Sequence, residues 1–519
     1  MTLVLRCRWL AVGALAVVAG CADPAQQAAQ PPLPVSPANV TVDVAHPGAP
    51  VNPLILGNNV QWVDRGDELL RSDGAFDPQM LEKVMALGPT MLRYPGGSLS
   101  DTYHWQAGVG AVAARGDTEV FFTRARQKTL MGTRELLELC AQTGAAPVFT
   151  VNTATGDAAE AARWVAYVNG PSIKAEAGGR TLPQVRYWEI GNEPYLKEDK
   201  RKDLWIAPEQ FARRAGEFIR AMKQADPRIV VGIPLRSDRL GGVPATPWPG
   251  YNDNMRAVPP IFDFVALHDA YLPFAYDKRY PDRELYLASM AAYRVVEDDF
   301  DATRALVRRL WPGHPVKLAV TEYNSVYTLG RGESDRYIAT LAGALYVADL
   351  LRVFAQTPDV LFANFWSLSG NGAFGAVSNR GVRRPAYHVL AAYRAALRGK
   401  IVPVSIAGPT FDNPRVGYVP AHTGLPLVTG IAFLDGKTLR VLLVNKHPES
   451  AVPIRLALNG ARAGAVAYQA ITGNNLFDTR DVEDKIEMRS GRVDAQGSTM
   501  AFEAPAHSFT VLEIALTGS

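Results

Sequence analysis

RYWEIGNEPY, residues 186–195, decides the fold. Val185 to Ile190 reads as a short buried strand, and Gly191-Asn192-Glu193-Pro194 ends it abruptly. Gly191 lets the chain turn sharply and Pro194 stops the strand from continuing. Glu193 then stands at a strand's carboxyl end, beside an amide able to hold a substrate hydroxyl. A carboxylate there is costly unless it is solvated, paired or functional. Far downstream KLAVTEYN, residues 317–324, repeats the design, an apolar strand with Glu322 at its end. Two solvated strand-end acids are the plain alternative. Two carboxylates presented together from two strand ends are what glycosidic-bond hydrolysis requires.

Working outward, strand-like runs alternate with amphipathic helical patterns. The strand candidates are 54–57, 90–93, 147–151, 185–190, 229–233, 262–267, 316–321 and 360–365; helical patterns such as 77–87, 132–142, 157–168, 208–225 and 302–310 separate them. Eight such units predict a (β/α)8 barrel over residues 38–398, with catalytic groups at the carboxyl ends of its strands. Glu193 follows the fourth candidate and Glu322 the seventh. An open doubly wound sheet would place a Gly-rich phosphate turn after the first strand, and LGNNV (56–60) is not one. From 399 to 519 short alternating runs separated by turn residues (Asp435-Gly436, Asn459-Gly460, Gly473-Asn474) predict an antiparallel β-sandwich. Residues 39–53 could add a strand to either domain.

The amino terminus has its own logic. Arg6 and Arg8 precede a short apolar run, Trp9–Val18, which reads as a secretory signal rather than a membrane span. It ends in VAGC (18–21), which resembles the lipobox of bacterial lipoproteins. That likeness implies cleavage of residues 1–20, lipidation of Cys21 and a lipid-anchored protein exported to the bacterial envelope; an ordinary signal peptide is the alternative. Residues 21–37, rich in Pro, Ala and Gln, form a tether. Once Cys7 leaves with the signal and Cys21 carries lipid, only Cys140 remains, so no internal disulfide is expected. The formal charge of +3 loses the signal's two arginines, and no basic run exists, which argues against nucleic acid as a partner. Near-neutral charge with 9% aromatic residues suits a carbohydrate. No His-x-His or His-Glu-x-x-His cluster offers a metal site, and no cofactor motif is present.

Other strand ends also carry polar or aromatic groups. RYPGGSLSDTYHW (93–105) brings His104 and Trp105, VNT (151–153) brings Asn152, HDAY (268–271) brings His268 and Tyr271, and Trp366 follows the eighth strand. RYPGG with YHW, then FTVN (149–152), TG (155–156) and EAARWVAYVN (160–169), together resemble glycoside hydrolase family 51, mostly α-L-arabinofuranosidases. YWEIGNEP (187–194) and TEYN (321–324) match that family and its wider clan of retaining (β/α)8 glycosidases, and AHSFTVLEI (506–514) is similar to the last strand of its sandwich. The likeness spans most of residues 50–515. It implies Glu193 as acid/base, Glu322 as nucleophile, Asn192 on the hydroxyl beside the reacting carbon, and Asn152, His268 and Tyr271 around the sugar.

The mechanism requires an acid whose surroundings raise its pKa and a nucleophile that stays ionised. One departure concerns specificity. Where the family has Gly-His-Phe-x-Glu, this chain has GNNVQ (57–61), so Gln61 replaces a pure acceptor with a donor–acceptor. An endo-acting glucanase or xylanase of the same clan, or a non-catalytic carbohydrate-binding lipoprotein, remains open, as does the oligomeric state.

Overall fold

The computed structural model describes residues 32–196, 199–236, 248–275, 280–327 and 335–517; the leader with Cys21 lies outside them. Among the described residues eight parallel strands close into a barrel: β1 (Gly57–Asn59), β2 (Met91–Tyr94), β3 (Ala146–Val151), β4 (Tyr187–Ile190), β5 (Val230–Pro234), β6 (Phe264–Leu267), β7 (Lys317–Val326) and β8 (Val360–Phe365). Each pairs in parallel with the next, and β8 returns to β1 through Asn364↔Gly57 and Phe365↔Asn58. These strands are buried on both faces, so they read as near-continuous apolar runs. Charged residues within them therefore stand out.

Helices cover the outside. In Pro208–Ala225 the buried positions Phe211, Ala212, Ala215, Phe218, Ile219 and Met222 recur three or four apart and form the stripe facing the sheet. Pro78–Leu87 begins where Asp77 accepts hydrogen bonds from the Gln79 and Met80 amides, which satisfies otherwise orphaned donors.

The barrel interior is layered by the two-residue period of the strands. Met91, Val148, Phe264, Ala266, Ala319 and Phe362 pack together as an apolar layer. Two residues on along β1, β2, β3, β4 and β7, the chain presents Asn59, Arg93, Thr150, Glu189 and Thr321, all fully buried. A polar layer therefore rests directly on an apolar one.

The second domain is a two-sheet sandwich. One sheet contains Lys400–Val402, Val428–Asp435, Thr438–Asn445, Ser508–Thr517, Arg462–Thr472 and Glu487–Arg492. The other is built around Val452–Asn459, and its neighbour is Ala38–Asp43. The predicted barrel start at residue 38 is thus corrected: Ala38–Asp43 belongs to the sandwich. Its burial alternates, with Ala38, Val40 and Val42 enclosed and Asn39 and Thr41 exposed. That is a strand with one covered face, whereas barrel strands are covered on both.

Asp349, on the barrel helix Leu341–Gln356, bolts the domains together. It lies 2.6 Å from Lys446 and accepts from Thr429 at 2.9 Å and from Arg352 at 2.6 Å. Lys446 also donates to the Met290 carbonyl and sits 4.1 Å above the Tyr293 ring.

Candidate active site

Gly191 makes the first turn of the site. It has φ +76°, and a Cβ there would lie 2.4 Å from Thr153 Oγ1, so only glycine fits both the backbone and the space. Glu193, two residues on, also has positive φ (+43°), which aims its carboxyl back across the barrel mouth.

Glu322 arrives differently from the expectation. β7 does not stop before it but runs on to Val326. Val320 faces Ala363 while Tyr323 faces Phe365, so Thr321 and Glu322 occupy a β-bulge against β8. A bulge re-aims side chains without ending the strand. On the other side of β7, a short strand Ala270–Pro273 pairs with Tyr323–Val326, which leaves His268 and Asp269 opposite Thr321 and Glu322. Three sequence motifs thereby meet in one place.

The carboxyl groups share a neighbour. His268 Nδ1 is 3.0 Å from Glu193 Oε1 and 3.7 Å from Glu322 Oε2. Glu322 also accepts from Arg93 at 2.8 Å and from the Tyr271 hydroxyl at 2.8 Å. Tyr195 donates to Glu193 at 3.3 Å. Arg93 is the hub beneath: it is wholly enclosed and bonds Glu189 (2.6 Å), Glu322, Asn59 (3.0 Å) and Asn192 Oδ1 (2.8 Å). Because Arg93 takes the oxygen of Asn192, the amide Nδ2 is left buried without a partner in the site. A buried donor without an acceptor is a place for a ligand oxygen.

Electrostatics run opposite to the simple expectation for an acid. Burial raises the Glu193 carboxyl, but the hydrogen bond and charge of His268, with the charge of Arg93, outweigh it and hold Glu193 below its ordinary range. Burial prevails over His268 and Arg93 at Glu322 and pushes that carboxyl up. His268 is itself raised: burial opposes its charge, but Glu322 and Glu193 more than compensate. Tyr271 is raised well above its ordinary value, first by burial and then by Glu322, so its phenol remains a donor.

Glu193 is the more exposed acid, with 23% of its side chain accessible against 6% for Glu322. A groove leaves from Asn192 and Glu193 between Asp101, Phe121, Arg201, Trp205 and Trp248. Burial pushes the Asp101 carboxyl up to about 8, with Glu193's charge adding and Arg201's opposing.

The remaining predicted residues divide. Trp366 and Gln61 lie at the rim: a Cβ on Gly97 would touch the Trp366 ring, and one on Gly96 would approach Gln61 Cγ. The backbone N–H of Gln61 donates to the Asp67 carboxyl, and the Asp67 carbonyl accepts from Ser369, which ties the loops after β1 and β8 together. Asn324 holds the Trp366 carbonyl. Two residues turn elsewhere. Trp105 stacks on Trp164, lies tilted against Tyr167 and donates to the Glu160 carbonyl, so it is packing between loop and helix. Asn152 spends its amide on Thr155 Oγ1 and the Tyr103 carbonyl, and its oxygen on the Ala154 and Thr155 amides.

Sequence reasoning passed over Arg93, Glu189, Asn59 and Thr321 as site residues. The signal was there: Arg93 and Glu189 are charges inside four-residue buried strands, MLRY and YWEI.

Comparison with known proteins gives consistent likenesses. Residues 83–265 match the α-L-arabinofuranosidase 1 domain family, and residues 321–508 match the α-L-arabinofuranosidase C-terminal domain family. A probable α-L-arabinofuranosidase C of Aspergillus flavus is 25% identical over 86% of this chain and 90% of its own length. An intracellular exo-α-(1→5)-L-arabinofuranosidase of Streptomyces lividans is 25% identical over 88% of this chain and 73% of its own. The structure of a family 51 α-L-arabinofuranosidase from Thermotoga petrophila superposes with TM-score 0.77 at 20% identity, over 92% of this chain and 99% of that one.

Proposed function

Because the chain belongs to the arabinofuranosidase-like glycosidases of glycoside hydrolase family 51, we propose that it removes α-L-arabinofuranosyl residues from polysaccharide or oligosaccharide with retention of configuration. The observation that carries this reading is one imidazole nitrogen within 3.0 and 3.7 Å of both carboxyl groups. A shared neighbour at those distances is compatible with the separation of about 5–5.5 Å used for a covalent intermediate, which supports retention.

In this reading Glu322 attacks the anomeric carbon. Arg93 and Tyr271 donate to it, which supports the carboxylate form against the burial that pushes it up. Glu193 faces the groove, where the leaving group departs, and gives that oxygen its proton. It then takes a proton from the water that hydrolyses the glycosyl ester. Asn192 Nδ2 holds the hydroxyl beside the reacting carbon, and Gln61 and Trp366 shape the sugar pocket. Trp205 and Trp248 offer apolar faces to the leaving sugar. We also propose that Cys21 carries lipid and that the enzyme is anchored in the bacterial envelope, on the strength of its VAGC stretch.

The test uses aryl α-L-arabinofuranoside, β-D-xyloside, β-D-glucoside and β-D-galactofuranoside. Cleavage of the arabinofuranoside with retention is expected, Glu322→Ala being inert. Glu193→Ala should keep activity on good leaving groups and regain more with azide, which replaces water in the second step. Equal and complete loss in both variants on every substrate overturns the role assignment; inversion at the anomeric carbon overturns the covalent route.

A further inference from the structure

Beneath the two carboxyl groups runs a line of three side chains that the hydrolytic roles do not use. Glu189 Oε2 accepts from Arg93 Nε at 2.6 Å and from Thr150 Oγ1 at 2.7 Å. Its other oxygen, Oε1, accepts from Thr321 Oγ1 at 2.9 Å. Glu189, Thr150 and Thr321 are all completely enclosed. Thr321 has a single hydroxyl hydrogen, and two neighbours compete for it: Glu189 Oε1 and His268 Nε2, the latter at 2.8 Å. His268 Nε2 itself lies 3.9 Å from Oε1, beyond hydrogen-bond reach. Leaving a buried carboxylate oxygen bare is costly, and a carboxylate is a stronger acceptor than a neutral imidazole nitrogen. The hydroxyl therefore donates to Glu189. What it turns toward His268 is a lone pair, so Nε2 must carry a hydrogen.

We propose that Glu189, acting through Thr321, is a positioning residue that fixes the His268 hydrogen on Nε2, so that Nδ1 and Glu193 share the one proton the reaction moves. The inference rests on the reading of Glu193 as acid/base. With Nε2 committed, Nδ1 has two states. It is a lone pair accepting from protonated Glu193, or an N–H donating to the Glu193 carboxylate; both contain the same proton.

The groups facing His268 decide which state holds. Glu193 and Glu322 stand at Nδ1, Glu189 lies behind Thr321, Arg93 opposes a positive ring from below, and Tyr271 serves Glu322. With both catalytic carboxyls charged, the proton rests on His268, in line with the raised imidazole and lowered Glu193. When a Glu322 oxygen bonds the anomeric carbon and the leaving oxygen departs, the Glu322 charge is consumed in the ester. The imidazolium then loses one of its two anions, and its proton passes to Glu193 and on to the leaving oxygen. In the second step water gives its proton to Glu193 and its oxygen to the anomeric carbon, and the ester bond breaks. Glu322 regains its charge and the proton returns to Nδ1. Attack and protonation are thus coupled through one ring.

The test has a spectroscopic and a kinetic arm, both on the intact folded chain. Protein labelled with ¹⁵N-histidine, with His268 assigned by a His268→Gln variant, should show hydrogen on Nε2 throughout a pH titration, and only Nδ1 changing. Thr321→Val keeps the shape but removes the hydroxyl, so Nε2 loses its acceptor and the neutral ring should move its hydrogen to Nδ1, held by Glu193. Thr321→Val and Glu189→Gln should lower kcat about 10²-fold on alkyl furanosides, whose leaving group needs the proton, and about 3-fold or less on activated aryl furanosides. The alkaline limb of kcat/KM should move to lower pH, and Thr321→Ser should restore both.

A ring that lacks hydrogen on Nε2 at any pH of the titration in the unaltered protein, or equal losses across leaving groups, would overturn the proposal. If Glu189→Gln fails to fold, Thr321→Val and the wild-type spectrum still decide. If no glycoside in the panel is cleaved, the functional reading has failed while the spectrum still reports the tautomer.

Discussion

Arg93→Met should destabilise the protein in a pH-dependent way, which distinguishes an electrostatic hub from a space-filling one. The guanidinium has no solvent contact and holds Glu189, Glu322, Asn59 and Asn192 at 2.6–3.0 Å. Methionine keeps much of the stem and removes the charge. A buried carboxyl deprived of its cation takes up a proton rather than stay bare. Keeping a proton at pH 7 on a group with an ordinary value of about 4.3 costs about 1.36 kcal/mol per unit, or about 3.7 kcal/mol for each carboxyl. At pH 5 the same cost is about 1 kcal/mol. Removing Arg93 takes a counter-charge from Glu322, whose carboxyl burial already pushes up, and raises it further, so the deficit is small below about pH 4 and grows as pH rises. Tyr271 and His268 still serve Glu322, so the total stays below twice the single cost. A deficit of about 4–7 kcal/mol at pH 7, falling to about 1–2 at pH 5, is expected. Urea unfolding at both pH values, followed by tryptophan fluorescence, measures it. A deficit equal at both pH values would refute the electrostatic account and leave packing as the cause. Arg93→Lys should recover much of the pH independence but little activity, since an ammonium cannot reach all four acceptors as the planar fork does.

Asp349→Asn should cost about 3–5 kcal/mol at pH 7, because Lys446 stays buried without its counter-charge. Burial raises Asp349, but Arg352 and Lys446 outweigh it and hold it down to about 2; its contribution is present above its ordinary value near 3.8 and is lost as pH falls toward 2. The deficit, read from urea midpoints, should therefore shrink over that window. Cys21→Ala should abolish incorporation of labelled palmitate and release the enzyme from the membrane fraction; unchanged labelling would sink the lipid-anchor proposal.

Much of the site was legible because its chemistry contradicts its surroundings. Glu193 was visible as an acid after an apolar strand, and the strand rhythm placed it on the fourth of eight units. The two-residue period could have gone further. Along β1, β2, β3, β4 and β7 the same step leads from the apolar layer to Asn59, Arg93, Thr150, Glu189 and Thr321, and Arg93 and Glu189 are conspicuous in strands otherwise free of charge. Trp105 and Asn152 show the converse. Their types and positions suit a sugar, but a neighbouring helix and loop satisfy them first.

By itself the chain's order of residues determined the repeating strand–helix rhythm, the two acid-bearing strands and the change to a sandwich near residue 399. These are local consequences of burial periodicity, turn residues and the cost of a charge in an apolar run. Tertiary structure alone decided that Ala38–Asp43 crosses to the sandwich, that Glu322 lies in a bulge rather than at a strand end, and that His268 stands between Glu193 and Thr321. Each depends on partners from distant segments: a sheet edge offered by Val404–Ala407 and Val452–Asn459, a register set by β8, and a hydroxyl on β7 held by a carboxylate on β4. Sequence reports what each strand presents; barrel closure determines which of those groups meet, and the meeting sets their charge.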